Sequence, residues 1–353
     1  MVLALAFAGC NSLKKRNNTV RGLTDTIGYA HTARQMDSIM ARIRRIQGKE
    51  YSDHLKFKDR VPALAVLCPH DDYAYVGELY PATVQNIKAN TVIIFGVAHK
   101  AKRYGLENKL VFDSYGYWHG PYGNVPVSPL REEIMEEMPR DMIIVHDSMQ
   151  ALEHSVEAIV PFLQYFNKKV RIVSVLVPYM PYSRMVEISD TLSGVLADVM
   201  KRHNLKLGKD VAFVFSSDAV HYGDEDWGGK DFAYYGTSCT SYKDAREHEI
   251  EILHTIAGPI TKDKVKKFTQ YTVDDYDYHR YKWTWCGRYS VPLGLLTVNS
   301  LKEKLAGAPL RGSSIGYTSS LVNMPLPVKD LGMGVTAPAY DHHWVGYAAV
   351  RYD

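Results

Sequence analysis

The feature that most constrains this fold is a set of short, almost unbroken apolar runs. They occupy residues 61–68, 91–95, 142–145, 170–177 and 211–215. A strand with one wet face alternates apolar and polar side chains, whereas a strand covered on both faces does not. Helix-like segments lie between and after these runs, at residues 78–89, 130–138, 151–166, 184–203, 244–256 and 262–268, with another after Cys286. Two further strand candidates close the chain, at 313–320 and 344–352. Buried strands alternating with helices predict an α/β domain with a mainly parallel sheet and helices on both faces. No repeat, low-complexity tract or linker interrupts residues 61–353, so they are expected to form one domain.

The segment before it reads differently. Residues 11–60 are polar and basic, with one amphipathic stretch, 34–46, that sets Met36, Ile39, Met40, Ile43 and Ile46 at helical spacing. Residues 1–10 are apolar and small up to Ala8-Gly9-Cys10, then turn abruptly polar. That run is too short to span a bilayer, which takes about 20 residues. Its ending resembles the lipobox of bacterial lipoproteins, with Phe7 where leucine is usual and no positive charge ahead of it. The expectation is a lipoprotein-type signal with lipidation at Cys10, export to the bacterial cell envelope, and membrane attachment through that lipid.

Composition narrows the functions. Hydrophobic residues are 46% of the chain and charged residues 23%, which excludes a disordered, collagenous or coiled-coil chain. A net charge of +3, with no basic run beyond Lys14-Lys15-Arg16, leaves no electrostatic footprint for nucleic acid. Four cysteines (Cys10, Cys68, Cys239, Cys286) are too few for a disulfide framework in a chain of 353 residues. Cys68 and Cys239 read as buried fillers.

Open α/β sheets bind ligands beyond the carboxyl ends of their strands, and this chain concentrates polar residues there. The first run ends in Pro69-His70-Asp71-Asp72-Tyr73, the second in Gly96-Val97-Ala98-His99, and a later one in Ser216-Ser217-Asp218-Ala219-Val220-His221. If these strands are neighbours, the three ends meet in one crevice. Cys286 stands just before an apolar helix, where a thiol can become a thiolate. Ser217, Asp218 and His221 admit a serine-hydrolase reading, but no Gly-x-Ser-x-Gly elbow accompanies them. Tyr271, Tyr276, Tyr278, Tyr281, Trp283 and Trp285 form either an aromatic wall or ordinary packing. His119, His342 and His343 are further rim candidates by residue type alone.

The order Pro69-His70-x-x-Tyr73, Gly96-x-x-His99, Glu153-His154-Ser155-x-Glu157, Ser216-Ser217-Asp218-x-x-His221 and Cys286-Gly287-Arg288 resembles the Memo-like family. Bacterial members of that family are labelled AmmeMemoRadiSam system protein B. The closing Val345-Gly-Tyr-Ala-Ala349 resembles its last strand. The resemblance implies a fold similar to that of class III extradiol dioxygenases, with metal ligands at His70, His99 and Cys286. His221 and Asp218 would be the catalytic pair, and Glu153, His154 and Tyr73 would stand behind the ligands or at the rim. The chain departs from the family pattern at Asp71-Asp72, at Lys100, and at Tyr289-Ser290-Val291-Pro292, which alters the pocket wall.

Extradiol cleavage uses Fe(II) held by two histidines and a carboxylate. A thiolate in the third position is softer and itself oxidisable. The expectation is therefore a redox or oxygenase-type site carrying Fe(II) first, Cu or Zn as alternatives, with a small molecule or peptide in the crevice. A zinc hydrolase on the same ligands and a non-catalytic interaction protein are the other readings.

Overall fold

The computed structural model describes residues 17–55, 57, 61–223, 232–238, 240–322 and 324–353. Cys10, with the whole expected signal, and Cys239 lie outside the described residues.

The main sheet runs in the order β11 (Gly258–Pro259), β12 (Arg311–Ser319), β13 (His343–Tyr352), β2 (Ala65–Cys68), β9 (Val211–Ser216), β3 (Thr91–Val97), β8 (Arg171–Val177), β4 (Leu110–Phe112) and β7 (Ile143–Val145). A short strand, β10 (His221–Gly223), pairs with the start of β13. A second small sheet joins β1 (Val20–Arg21), β5 (Tyr117–Trp118) and β6 (Val125–Pro126). The sheet is mixed, a correction to the mainly parallel one expected. Its centre, β2-β9-β3-β8, is parallel, but β12 and β13 pair antiparallel with their neighbours in that row, and β4 is antiparallel to β8 while parallel to β7. Parallel neighbours need a crossover of a dozen or more residues, usually a helix. Between β12 and β13 the described residues hold only a short 3₁₀ turn, Lys329–Leu331, so the chain comes back antiparallel.

The four central strands are buried on both faces, as their unbroken apolar runs require. Leu67, Phe213, Phe215, Ile93 and Phe95 belong to one core. Val66, Ala212, Val214, Val92 and Ile94, at the alternate positions, belong to another. Helices Tyr182–Arg202 and Ser290–Ala306 cover the first face, and helix Ala33–Ile46 supplies Met36, Ile39, Met40 and Ile43 to the second. Thr32 caps this last helix in a reciprocal box with Gln35. The helix expected over 151–166 is broken into Asp147–Ala151 and Val160–Phe166. Pro161 opens the second piece, a position that suits proline, and the residues between are drawn out to the site.

Among the described residues no helix is long and apolar enough to cross a membrane.

Candidate metal centre

Strand β9 lies between β2 and β3, with Cys68 level with Ser216 and Phe215 level with Phe95. The residues that follow these three strands therefore leave the sheet side by side. His70, His99 and Asp218 converge as the strand-end argument requires. Cys286 enters from the turn before helix Ser290–Ala306, where Gly287 packs directly on Ser217. A Cβ on Gly287 would stand 2.4 Å from the Ser217 Cβ, so only glycine lets the cysteine come this close.

One ligand atom each from His70, His99 and Cys286 lies within 4.8 Å of the others. The hydrogen bonds behind them decide which atoms face inward. The Ser216 hydroxyl donates to the Ser155 carbonyl at 2.7 Å, so it can only accept from His70 Nδ1–H, 2.8 Å away. That leaves His70 Nε2 turned to the centre, buried and without a hydrogen bond, with Asp218 Oδ2 3.4 Å away. His99 is set the same way. Its Nδ1–H and its backbone N–H both donate to the Glu153 carboxylate, each at 2.8 Å, leaving Nε2 inward. Burial pushes the Glu153 carboxyl up, but the facing His99 outweighs this and holds it well below the usual range. An orphaned imidazole nitrogen, a second aligned by a carboxylate and a thiol form a donor set that fits a metal ion.

His221 and Asp218 flank this cluster. His221 Nε2 lies 2.8 Å from the Cys286 sulfur and 3.8 Å from Asp218 Oδ2. Asp218 Oδ1 accepts the His70 backbone N–H at 2.8 Å. Burial disfavours the Asp218 charge, yet His70 and His221 more than compensate and bring its pKa to about 2. Burial likewise raises the Cys286 thiol, and the facing imidazoles, His221 foremost, carry it well below its ordinary value. His154 stacks on His99 with ring centres 4.6 Å apart. Burial pushes its pKa down to about 3, so it is neutral at pH 7.

The crevice over these residues measures about 780 Å³ and is walled by Tyr29, Asp71, Lys100, His154 and Thr336 among others. Two of the departures from the family pattern, Asp71 and Lys100, thus sit on its wall. Asp71 accepts from Tyr347 OH at 2.6 Å, and burial with the nearby Asp218 pushes its pKa up to about 6. Asp72 instead grips the last loop, accepting from Thr336 N–H at 2.5 Å.

Other expectations part from the structure. Tyr73, expected behind the ligands or at the rim, is a core residue packed against Tyr29, Tyr80 and Phe162, with its hydroxyl donated to the Ala158 carbonyl. The Ser217 hydroxyl donates to the Asp218 carbonyl at 2.6 Å and accepts from Gly287 N–H, which leaves no nucleophile for a serine triad. His119 bonds to the His31 carbonyl, His343 stacks on Tyr340 and His342 meets the same ring edge-on; none lines the crevice. The aromatic cluster divides. Tyr276 is fully exposed, Trp283 and Trp285 bind Glu249, and Tyr281 reaches the recess beside Cys286.

Two contributors escaped the sequence reading. Tyr29 donates to the His70 carbonyl at 2.6 Å and lines the crevice. Arg21 is buried against Glu157 and donates to the carbonyls of Gln150 and Glu153, bracing the loop that carries Glu153. Neither residue stands at the end of an apolar run, so nothing local marked it.

A mixed α/β sheet with two histidines and a cysteine gathered beyond its central strands defines a protein with a candidate mononuclear metal site. The Memo-like protein model matches residues 27–320, and the chain belongs to the Memo-like family. The match takes in Tyr29, helix Ala33–Ile46 and the main-sheet strands from β2 to β12, and stops short of β13. The chain is 28% identical to a MEMO1 family protein of Methanosarcina barkeri over 176 residues, covering 49% of this chain and 60% of that one. It is 30% identical to one of Sulfurisphaera tokodaii over 167 residues (45% and 54%). With one of Pyrobaculum aerophilum it shares 31% over 170 residues (46% and 55%). The matched stretch thus spans a little over half the length of these relatives.

Proposed function

We propose that His70, His99 and Cys286 hold one metal ion in a redox or oxygenase-type site, with Fe(II) the first candidate and Cu or Zn on the same ligands the alternatives. The observation that carries this reading is the cluster itself: His70 Nε2, buried with no hydrogen bond and only the Asp218 carboxylate 3.4 Å away, shares one point with a ligand atom of His99 and one of Cys286. The likeness of the family's fold to class III extradiol dioxygenases supports oxygen chemistry, and the thiolate supports a metal softer than a carboxylate triad selects. When bound, a redox metal would supply electron transfer and Lewis acidity at the floor of the crevice.

The protein's own part is positioning and proton storage. Ser216 and Glu153 hold both imidazoles in the tautomer that presents Nε2. His221 can keep a proton on Nε2 between the Cys286 sulfur and Asp218, where a substrate group in the crevice could take or return it. Asp218 orients His70 through its backbone and balances the imidazolium charge. The occupant of the crevice is a small molecule or a peptide.

Anaerobic purification with elemental analysis of wild type and Cys286→Ala tests this reading. Co(II) loading adds a direct signal, since thiolate-to-cobalt charge transfer absorbs in the near-ultraviolet. The band should appear in wild type and in Cys68→Ser, and be lost in Cys286→Ser. A band that survives in Cys286→Ser would remove the cysteine from the ligand set. Iron-loaded protein should consume oxygen with catechols or thiols; zinc as the sole bound metal, with no oxygen uptake after iron loading, would overturn the redox assignment.

A further inference from the structure

A second cavity of about 760 Å³ lies on the far side of Tyr179 and Tyr281 from the metal cluster. A narrow recess bordered by His99, Cys286, Tyr179, Tyr281 and Arg288 adjoins it. Arg288 lines both spaces and is only 3% exposed. Its guanidinium packs on the Tyr281 ring, 3.4 Å from the centroid, and is 4.7 Å from that of Tyr289. Its Nε donates to Tyr289 OH at 2.9 Å and its Nη2 to the His279 carbonyl at 3.1 Å.

No carboxylate answers this charge among the described residues, where its partners are tyrosines and the His279 carbonyl. That is an unusual condition for a buried cation, because burying a charge is costly unless it is paired. The other charges on the cavity wall do not compensate. Glu107 and Asp277 both bond to the His279 ring, at 3.1 and 2.9 Å, while Lys102 and Arg280 are exposed at the mouth and carry no ion pair among the described residues. The planar fork of arginine matches carboxylate and phosphate oxygens, and tyrosine rings offer flat walls to an aromatic or unsaturated body.

We propose that this cavity binds a small organic anion, with its carboxylate or phosphate group on the carboxylate-free guanidinium of Arg288 and its body between Tyr179 and Tyr281. The recess beside Arg288 opens the same anion toward Cys286 and His99. Anion binding rests on Arg288 and the cavity alone. Only its use as a substrate subsite rests on the metal reading.

The test titrates the full chain, metal-free and cobalt-loaded, with benzoate, phenyl phosphate and the neutral benzyl alcohol, followed by calorimetry. Benzoate or phenyl phosphate should bind saturably in both forms, and their ratio separates a carboxylate from a phosphate ligand. Benzyl alcohol should not compete. Loss of one charged hydrogen bond is worth about tenfold or more in affinity, so Arg288→Gln should weaken the anion by at least about that factor. Saturable anion binding by the metal-free chain, whatever becomes of the cobalt band, separates failure of this proposal from failure of the metal site. Because Arg288 braces three tyrosines, a Lys102→Gln, Arg280→Gln double variant at the exposed mouth provides a second arm. It should lower affinity and flatten its salt dependence. Equal binding of benzyl alcohol, or anion affinity unaltered in folded Arg288→Gln or in the double variant, would overturn the proposal.

Discussion

Glu249 offers the sharpest test of how the structure holds the segment before Cys286. It lies on helix Ser241–Thr255, fully buried, and no cation pairs with it among the described residues. One carboxylate oxygen accepts the indole N–H of Trp283 at 2.5 Å and of Trp285 at 2.7 Å. The other accepts the Val220 backbone N–H at 3.2 Å, next to His221. Glu249→Ala would leave three buried donors unsatisfied at about 1–3 kcal/mol each, partly relieved by water, so a loss of about 4 kcal/mol is expected. Burial also raises the Glu249 pKa from 4.5 to about 7, its hydrogen bonds only partly opposing the shift. Between those values the folded chain keeps a proton that the unfolded chain releases. The raised pKa therefore contributes stability that is complete below pH 4.5 and is lost as pH rises through 7, worth about 3 kcal/mol in total. Glu249→Gln keeps an acceptor for the indoles but cannot titrate. Urea unfolding of wild type, Gln and Ala variants at pH 5, 6, 7 and 8, followed by tryptophan fluorescence, separates these terms. Relative to Glu249→Gln, wild type should lose most of that amount between pH 5 and 8. Parallel pH curves for the two, or an Ala variant within about 1 kcal/mol of wild type, would refute the argument.

Two further outcomes are expected. Glu153→Gln should keep the fold but lower metal affinity about 10–100-fold in a chelator competition, since the outer partner of a ligating histidine sets its orientation and basicity; unchanged affinity would mean that His99 needs no such partner. Labelled palmitate should enter the wild-type chain expressed in a bacterial host and be absent from Cys10→Ala, and absence from both would remove the lipobox assignment.

The parts of the fold that sequence revealed are those governed by local physics. Strands 65–68, 91–97, 171–177 and 211–216 are buried on both faces, so each one announces itself as an apolar run whatever its neighbours are. His70, His99 and Asp218 follow those runs directly, and the order β2-β9-β3 then brings them together. What stayed hidden depends on partners far along the chain. The break in the helix expected over 151–166 is made by Glu153 reaching His99 and by Ser155 bonding the Val97 backbone, fifty-odd residues away. Gly96 records the same approach, since a Cβ there would stand 2.6 Å from Val156. The antiparallel turn of the last strands depends on an absent crossover, which periodicity does not report. Tyr73 and Tyr29 show how little residue type decides. The two rings pack on each other, yet the one three residues from His70 sends its hydroxyl into the core and the one 41 residues away bonds His70 and lines the crevice. Cys286 illustrates both sides of this division. Its place before an apolar helix marked a reactive thiol, but the imidazoles that lower its pKa come from three other strand ends, and only the sheet order supplies them.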